Sequence, residues 1–216
     1  MHAPSPYVET QRDVLLDAAR SIRFATLVAC RDGRPLAAHI PLIPKEDGGR
    51  IVIEGHFARA NPIRGAFADG AEALAIFRGP HAYVHPRWYP AREDGRVLPT
   101  WNYVAVEARG FPRLIGERGW LLRHLTELVE ANEVDRPDPW RLKEASRDHV
   151  EDLLPEIMGV RLEVTAIEGV WKMSQDHPEA DRAGVAAGLE SEGTGRGLAV
   201  AGVMRSRVLP EEGNDP

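Results

Sequence analysis

FATLVACRDGRPLAAHIPLIPKEDGGRIVIEGHF, residues 24–57, holds three apolar runs, Phe24–Cys30, Leu36–Ile43 and Arg50–Phe57, parted by Asp32-Gly33 and Asp47-Gly48-Gly49. Asp-Gly between such runs is a strong short-range hairpin signal, because the tight turn needs residues that accept positive φ. The stretch therefore reads as three antiparallel strands. A two-residue loop at Asp47-Gly48 sets Glu46 against Gly49, Pro44 against Ile51, Leu42 against Ile53 and His39 against His56. The same count around Asp32-Gly33 sets Thr26 against His39. Thr26, His39 and His56 then form one cross-strand row with neighbouring Cβ atoms roughly 5 Å apart. A polar row is costly in a dry core, so it should line a ligand cleft or meet hydrogen-bond partners. A turn at Gly48-Gly49, or a bulge at Pro41 or Pro44, would break the row and carry His56 to the other face.

Working outward, Tyr7–Ile22 carries a helical stripe (Val8, Val14, Leu15, Ala18, Ala19, Ile22) with Glu9 and Asp13 early, where the helix dipole favours them. Asn61-Pro62 reads as an N-cap followed by proline at the first helical position, opening a short helix that ends near Gly70. Ala73–Arg78 and His81–Val84 are strand-like, 86–96 is a loop rich in proline and charge, and Trp101–Gly110 alternates as a long strand that runs on to Ile115. Glu117–Glu133 is the best helix, with Trp120, Leu121, His124, Leu125, Leu128 and Val129 on its apolar face. Residues 138–154 predict short helical pieces broken by prolines, Val160–Ile167 and Gly169–Met173 return to strand, and the chain from Glu179 is helical with glycines. The sum is a mainly β chain with α-helices: a small antiparallel barrel decorated with helices, with a Greek-key sandwich as the competitor. One domain is expected over residues 1–205, with residues 206–216 a disordered tail.

The net charge of −6 lowers the expectation of an autonomous DNA-binding domain, which uses a basic patch against phosphates. Cys30 is the single cysteine, so an intrachain disulfide is excluded, which suits a reducing compartment. Neither a signal peptide nor an apolar run long enough to span a membrane is evident, and a cytoplasmic setting is expected.

Four segments carry more chemistry than packing requires. Gly55-His56-Phe57-Ala58-Arg59-Ala60-Asn61-Pro62 leads a strand into a capped helix, where free N–H groups and Arg59 would suit an anion; the plain alternative is an ordinary cap with a surface arginine. Gly79-Pro80-His81-Ala82-Tyr83-Val84-His85-Pro86-Arg87-Trp88-Tyr89 packs histidines and aromatic rings among prolines, as the wall of a pocket for a flat ligand or as an aromatic core corner. Pro99-Thr100-Trp101-Asn102-Tyr103 sets polar groups between aromatic ones, and Trp171-Lys172-Met173-Ser174-Gln175 ends a strand in donors that could reach a ligand or a second subunit. A metal is not expected: His81 and His85 on a strand lie roughly 13 Å apart, and no Cys, Asp or Glu completes a pattern with them, His39 or His56. Gly193-Thr194-Gly195-Arg196-Gly197 lacks dinucleotide-binding spacing, and no P-loop, GxSxG or HExxH is present.

In this order, GHFARANP (55–62), GPHAYVHPRWY (79–89), PTWNY (99–103) and GVWKMSQ (169–175), with Asp181-Arg182, Gly184-Val185 and Gly188-Leu189 behind them, resemble the PaiB family. The resemblance spans about residues 1–205. It implies an FMN-binding split β-barrel, a two-fold homodimer with flavin sites at the subunit interface, and a role as a negative transcriptional regulator; no catalytic residue is singled out. The cofactor contacts expected from the residue patterns and the resemblance together are His39, His56, Arg59, Asn61, His81, Tyr83, Trp88, Tyr89, Trp101, Asn102, Lys172, Ser174 and Gln175. His85 stands where the family's HAYxSP pattern leads one to expect serine. Two other roles fit such a fold: an FMN-dependent oxidoreductase acting on a small molecule, and a haem-binding split barrel.

Overall fold

The hairpins read from residues 24–57 are present in the computed structural model, which describes residue 1, residues 3–95 and residues 97–207. Strand β2 (Phe24–Arg31) turns at Asp32-Gly33 into β3 (Arg34–Asp47), both turn residues having positive φ (51° and 71°). Thr26 faces His39 as the count requires, and Thr26 Oγ1 lies 3.0 Å from His39 Nδ1.

The second turn differs from the expectation. β4 (Arg50–Ala58) pairs so that Asp47 faces Arg50, Glu46 faces Ile51 and Leu42 faces Gly55, leaving Gly48-Gly49 as the turn, with φ of 56° and 78°. Two glycines accept a turn with two positive φ angles at no Cβ cost, which Asp47 could not match. His56 is therefore not opposite His39, and the expected three-residue row does not form. Nor does His56 change face. Moving a two-residue turn by one position shifts each partner by two residues, so inward and outward alternation is kept.

The alternation builds the core. Ala25, Leu27 and Ala29 of β2, Ala38, Ile40 and Leu42 of β3, and Ile53 of β4 are all buried. β5 (Ala73–Val84) and β7 (Ile157–Lys172) are single long strands where the sequence suggested interruptions, and β6 (Thr100–Ile115) is the long strand expected. Gly79-Pro80 and Glu168 do not break β5 and β7. β1 (Val8–Glu9) pairs with β7, Val8 facing Val170, which draws the start of the expected first helix into strand; α1 begins only at Arg12 and ends at Ile22. The sheet order is β1-β7-β4-β3-β2-β5-β6, with β6 also paired to β7. The helices are α2 (Ile63–Ala68), α3 (Arg118–Glu133), α4 (Arg147–Leu153), α5 (Glu179–Glu192) and α6 (Gly195–Ser206). Among the described residues no helix is long and apolar enough to cross a membrane.

The chain forms two compact units. One holds Gln11–Phe77 and Val106–Ile167; the other holds Met1–Thr10, Arg78–Ala105 and the described chain from Glu168 on. In the second unit Ser206 closes α6 and Arg207 pairs with Glu9. The rest of the expected tail, residues 208–216, and Arg96 of the proline-rich loop lie outside the described residues.

Candidate functional site

The thirteen residues singled out from the sequence divide nine and four between the units. The nine are His81, Tyr83, Trp88, Tyr89, Trp101, Asn102, Lys172, Ser174 and Gln175. Alternation along β6 turns Trp101 outward, 52% exposed, and Asn102 inward, fully buried. On the outward side Trp101 meets His81 in a near-stacked arrangement (centroids 6.3 Å apart, 29° between planes) and Tyr83 edge-on (6.0 Å). Tyr83 is itself 44% exposed, so β5 and β6 together present an open aromatic platform. His81 Nδ1 lies 3.0 Å from the Gly79 carbonyl oxygen; a carbonyl only accepts, so Nδ1 donates and Nε2 is left without a hydrogen bond among the described residues.

On the inward side the polar groups are buried and tied together. Asn102 Nδ2 donates to Ser174 Oγ at 3.0 Å, and Ser174 Oγ lies 3.2 Å from Asn102 Oδ1. Ser174 is 1% exposed and has φ of 60°, a left-handed conformation that costs a non-glycine residue on the order of 1 kcal/mol or more. The Tyr89 hydroxyl is buried beside Ser174 but outside hydrogen-bonding geometry, an unpaired polar atom, and burial raises its pKa. Tyr89 and Asn102 are thus interior residues, not the lining of an open cleft. Lys172 Nζ donates to Thr100 Oγ1 (2.7 Å) and the Trp101 carbonyl (3.2 Å), and burial lowers its pKa against the opposing pull of Asp176. Gln175 Oε1 accepts from Met173 N at 2.6 Å, while Nε2 donates to the Pro6 carbonyl at 3.1 Å. Trp88 lies flat on α5: a Cβ at Gly188 would come within 2.3 Å of its indole, so only glycine permits the contact. Asp181 was visible in the sequence without a role; it is buried and accepts from Ala91 N at 3.0 Å, holding the turn that carries Tyr89.

The other four are His39, His56, Arg59 and Asn61. His39 is exposed and paired with Thr26. Asn61 Oδ1 accepts from Ile63 N at 3.0 Å, the expected cap of α2. Arg59 donates through Nε to the Pro155 carbonyl (2.5 Å) and through Nη2 to the Ile157 carbonyl (3.1 Å), so much of its guanidinium serves the chain itself. His56 Nδ1 lies 3.1 Å from His124 Nε2 of α3, and Trp120 stacks on His124 at 5.1 Å. Burial, then the neighbouring His56, lowers the His124 pKa to about 4; burial lowers that of His56 as well.

Beside this pair Lys45 Nζ bonds Glu54 at 2.6 Å and also Glu127, and Arg161 bonds Glu54 at 2.7 Å. Burial would raise the Glu54 pKa, but the bonds from Lys45 and Arg161 outweigh it and lower it. Ligand atoms of Glu54, His124 and Glu127 come within 4.8 Å of one another, a grouping the sequence did not disclose, and the Lys45 ammonium already supplies positive charge to both carboxylates. A histidine on the apolar face of the helix 117–133 was the one available signal.

A mostly antiparallel seven-stranded sheet in this order, closed by the pairing of β6 with β7 and decorated with these helices, defines a split barrel. The sequence model of a family described as "Putative FMN-binding domain" matches residues 1–166. The chain is 31% identical over 208 residues to the protease synthase and sporulation protein PAI 2 of Bacillus subtilis, covering 96% of this chain and 98% of that protein. It is 30% identical over 204 residues to the uncharacterized protein AN0679 of Emericella nidulans (79% and 81% covered). Among solved structures it is similar to the FAD and haem binding protein from Mycobacterium smegmatis (TM-score 0.59, 20% identity, 82% of this chain and 79% of that chain). It is also similar to the flavocytochrome Anf3 from Azotobacter vinelandii (TM-score 0.55, 13% identity, 84% and 78%). The chain belongs to the PaiB family of FMN-binding-domain proteins.

Proposed function

We propose that this protein binds FMN, works as a homodimer and acts as a PaiB-like negative regulator of transcription that responds to flavin. The observation that carries the flavin reading is the open platform of His81, Tyr83 and Trp101, with the buried Asn102–Ser174 pair on the inward side of β6. A flat ring system gains by stacking on exposed aromatic faces, and a strained polar residue such as Ser174 is the kind that persists at ligand sites. The half-buried Lys172 ammonium is a donor of the type that would fix ring oxygens and nitrogens. Within its own unit, Arg59 keeps an Nη1 that makes neither of its carbonyl bonds and suits an anion such as a phosphate. Bound flavin would supply reversible one- and two-electron redox chemistry. Exposed aromatic clusters are enriched where partners meet, which supports the two-fold dimer. The regulatory role rests on the relationship to the sporulation protein PAI 2, and a cytoplasmic location accords with it.

His81 favours a second reading, a flavin-dependent oxidoreductase. Its free Nε2 stands beside the platform, where it could pass a proton to or from a small substrate. Purified protein reconstituted with FMN, its absorption spectrum and solution mass measured together, tests the proposal. Flavin bands retained through gel filtration on a species of twice the monomer mass are expected. A haem Soret band, or a flavin-free monomer, would refute it. Steady NAD(P)H oxidation by the loaded protein would move the assignment to the oxidoreductase.

A further inference from the structure

One face of α3 looks away from the histidine pair. Arg118, Leu122, Thr126 and Glu130 recur every four residues along it and form one wall of a groove of about 610 Å³. The opposite wall is the segment from Arg141 to Glu151, a short 3-10 turn followed by α4. Leu122, Leu142, Ala145 and Val150, all half-buried, supply an apolar floor. Ion pairs stand at both ends: Arg118 with Glu151, its Nε 2.7 Å from Oε2, and Arg141 with Glu130 at 3.9 Å. The α3 stripe between these ends is about 18 Å long at the helical rise, the reach of a small molecule and not of an extended partner surface. Lys143 and Arg147 also line the groove and are exposed; among the described residues neither makes an ion pair, although Arg147 is near enough to Glu151 to help lower its pKa.

We infer that this groove binds a small amphipathic organic anion, apolar body on the floor and acidic group at Lys143 and Arg147. Charge complementarity is the reason for an anion. The lining carries four cationic side chains against two carboxylates, in a protein whose net charge is −6. Glu130 pairs with Arg141, and Glu151 is bonded by Arg118 and shared more distantly with Arg147, so two positive charges remain in excess on the side of Lys143 and Arg147. The volume lies in the range of small-molecule sites, and an apolar floor with few placed charges is their usual chemistry. In a regulator such a site would serve an effector distinct from the flavin. The inference stands on this groove alone and is independent of the flavin reading.

The probe is 1-anilinonaphthalene-8-sulfonate, titrated by fluorescence into FMN-saturated protein and displaced with decanoate or with uncharged decanol. Saturable binding, displacement by decanoate far below the decanol concentration, and a loss of about tenfold or more in the Lys143→Ala/Arg147→Ala double variant are expected. Both substituted residues are exposed, so folding is retained, and circular dichroism with an unchanged flavin spectrum verifies it. Equal affinity in the double variant, equal displacement by decanol, or no saturable binding would overturn the inference. So would a change of solution mass in the double variant with probe binding intact, which would give the groove to a protein partner.

Discussion

Two neighbourhoods of histidine and aromatic residues stand in contrast. His56, His124 and Trp120 are packed with Lys45, Glu54 and Glu127 on a covered face of β4, where His56, Lys45 and both carboxylates have partners from the chain and His124 Nδ1 alone is buried without one among the described residues. Tyr83 of β5 and Trp101 of β6 lie open, Trp101 meets both Tyr83 and the half-buried His81, and the inner side of β6 is held by a strained serine. The same residue types serve opposite ends. Where charges and imidazoles satisfy one another, burial is tolerated and the cluster is closed to ligands. Where aromatic rings are exposed, as at Tyr83 and Trp101, stacking energy is still available.

The closed cluster should reveal itself by pH. Burial keeps His124 neutral, with its pKa lowered to about 4 from 6.5. The unfolded chain takes up this proton below pH 6.5 and the folded chain resists it until about pH 4. Stability is therefore full above pH 6.5, falls through that interval and levels below it, by on the order of 3 kcal/mol from this residue. Glu54, held low by Lys45 and Arg161 despite its burial, adds its loss at still lower pH. Denaturant titrations from pH 7.5 to 4 check this; in His124→Gln the slope between pH 6.5 and 4 should flatten.

The inner side of the open region should give smaller effects. Asn102→Ala removes a buried partner and leaves Ser174 Oγ unpaired, costing about 2 kcal/mol of stability. Ser174→Gly loses the same hydrogen bond but relieves the left-handed backbone, so its net change should stay within about 1 kcal/mol. Chemical denaturation of the two variants side by side separates strain from hydrogen bonding. Equal losses would mean that the φ of 60° carries no cost.

Much of this was legible beforehand because it is local. Asp32-Gly33 fixed one hairpin, the Asn61 cap was explicit, and the stripe from Trp120 to Val129 marked α3. The Gly48-Gly49 turn was missed because Asp47-Gly48 and Gly48-Gly49 compete at neighbouring positions, and only the cost of a Cβ at positive φ decides between them. The helix expected from Tyr7 begins at Arg12 because Val8 pairs with Val170, more than 150 residues away, which no local pattern reports. His56–His124 and Lys45–Glu127 are likewise contacts between distant segments. The nine residues of the open region were chosen by composition and resemblance together. Which of them face outward followed only from the register of β6, which turns Trp101 out and Asn102 in.

The most direct test is an equilibrium FMN titration, followed by quenching of flavin fluorescence, on the wild-type protein, Trp101→Ala and His124→Gln. Loss of a stacking ring costs on the order of 1–3 kcal/mol for bases on aromatic side chains. FMN should accordingly bind Trp101→Ala about tenfold more weakly or worse, while His124→Gln binds as the wild type does. Unchanged affinity in Trp101→Ala together with a loss in His124→Gln would contradict the account, and would make the histidine pair, not the aromatic platform, the seat of the cofactor.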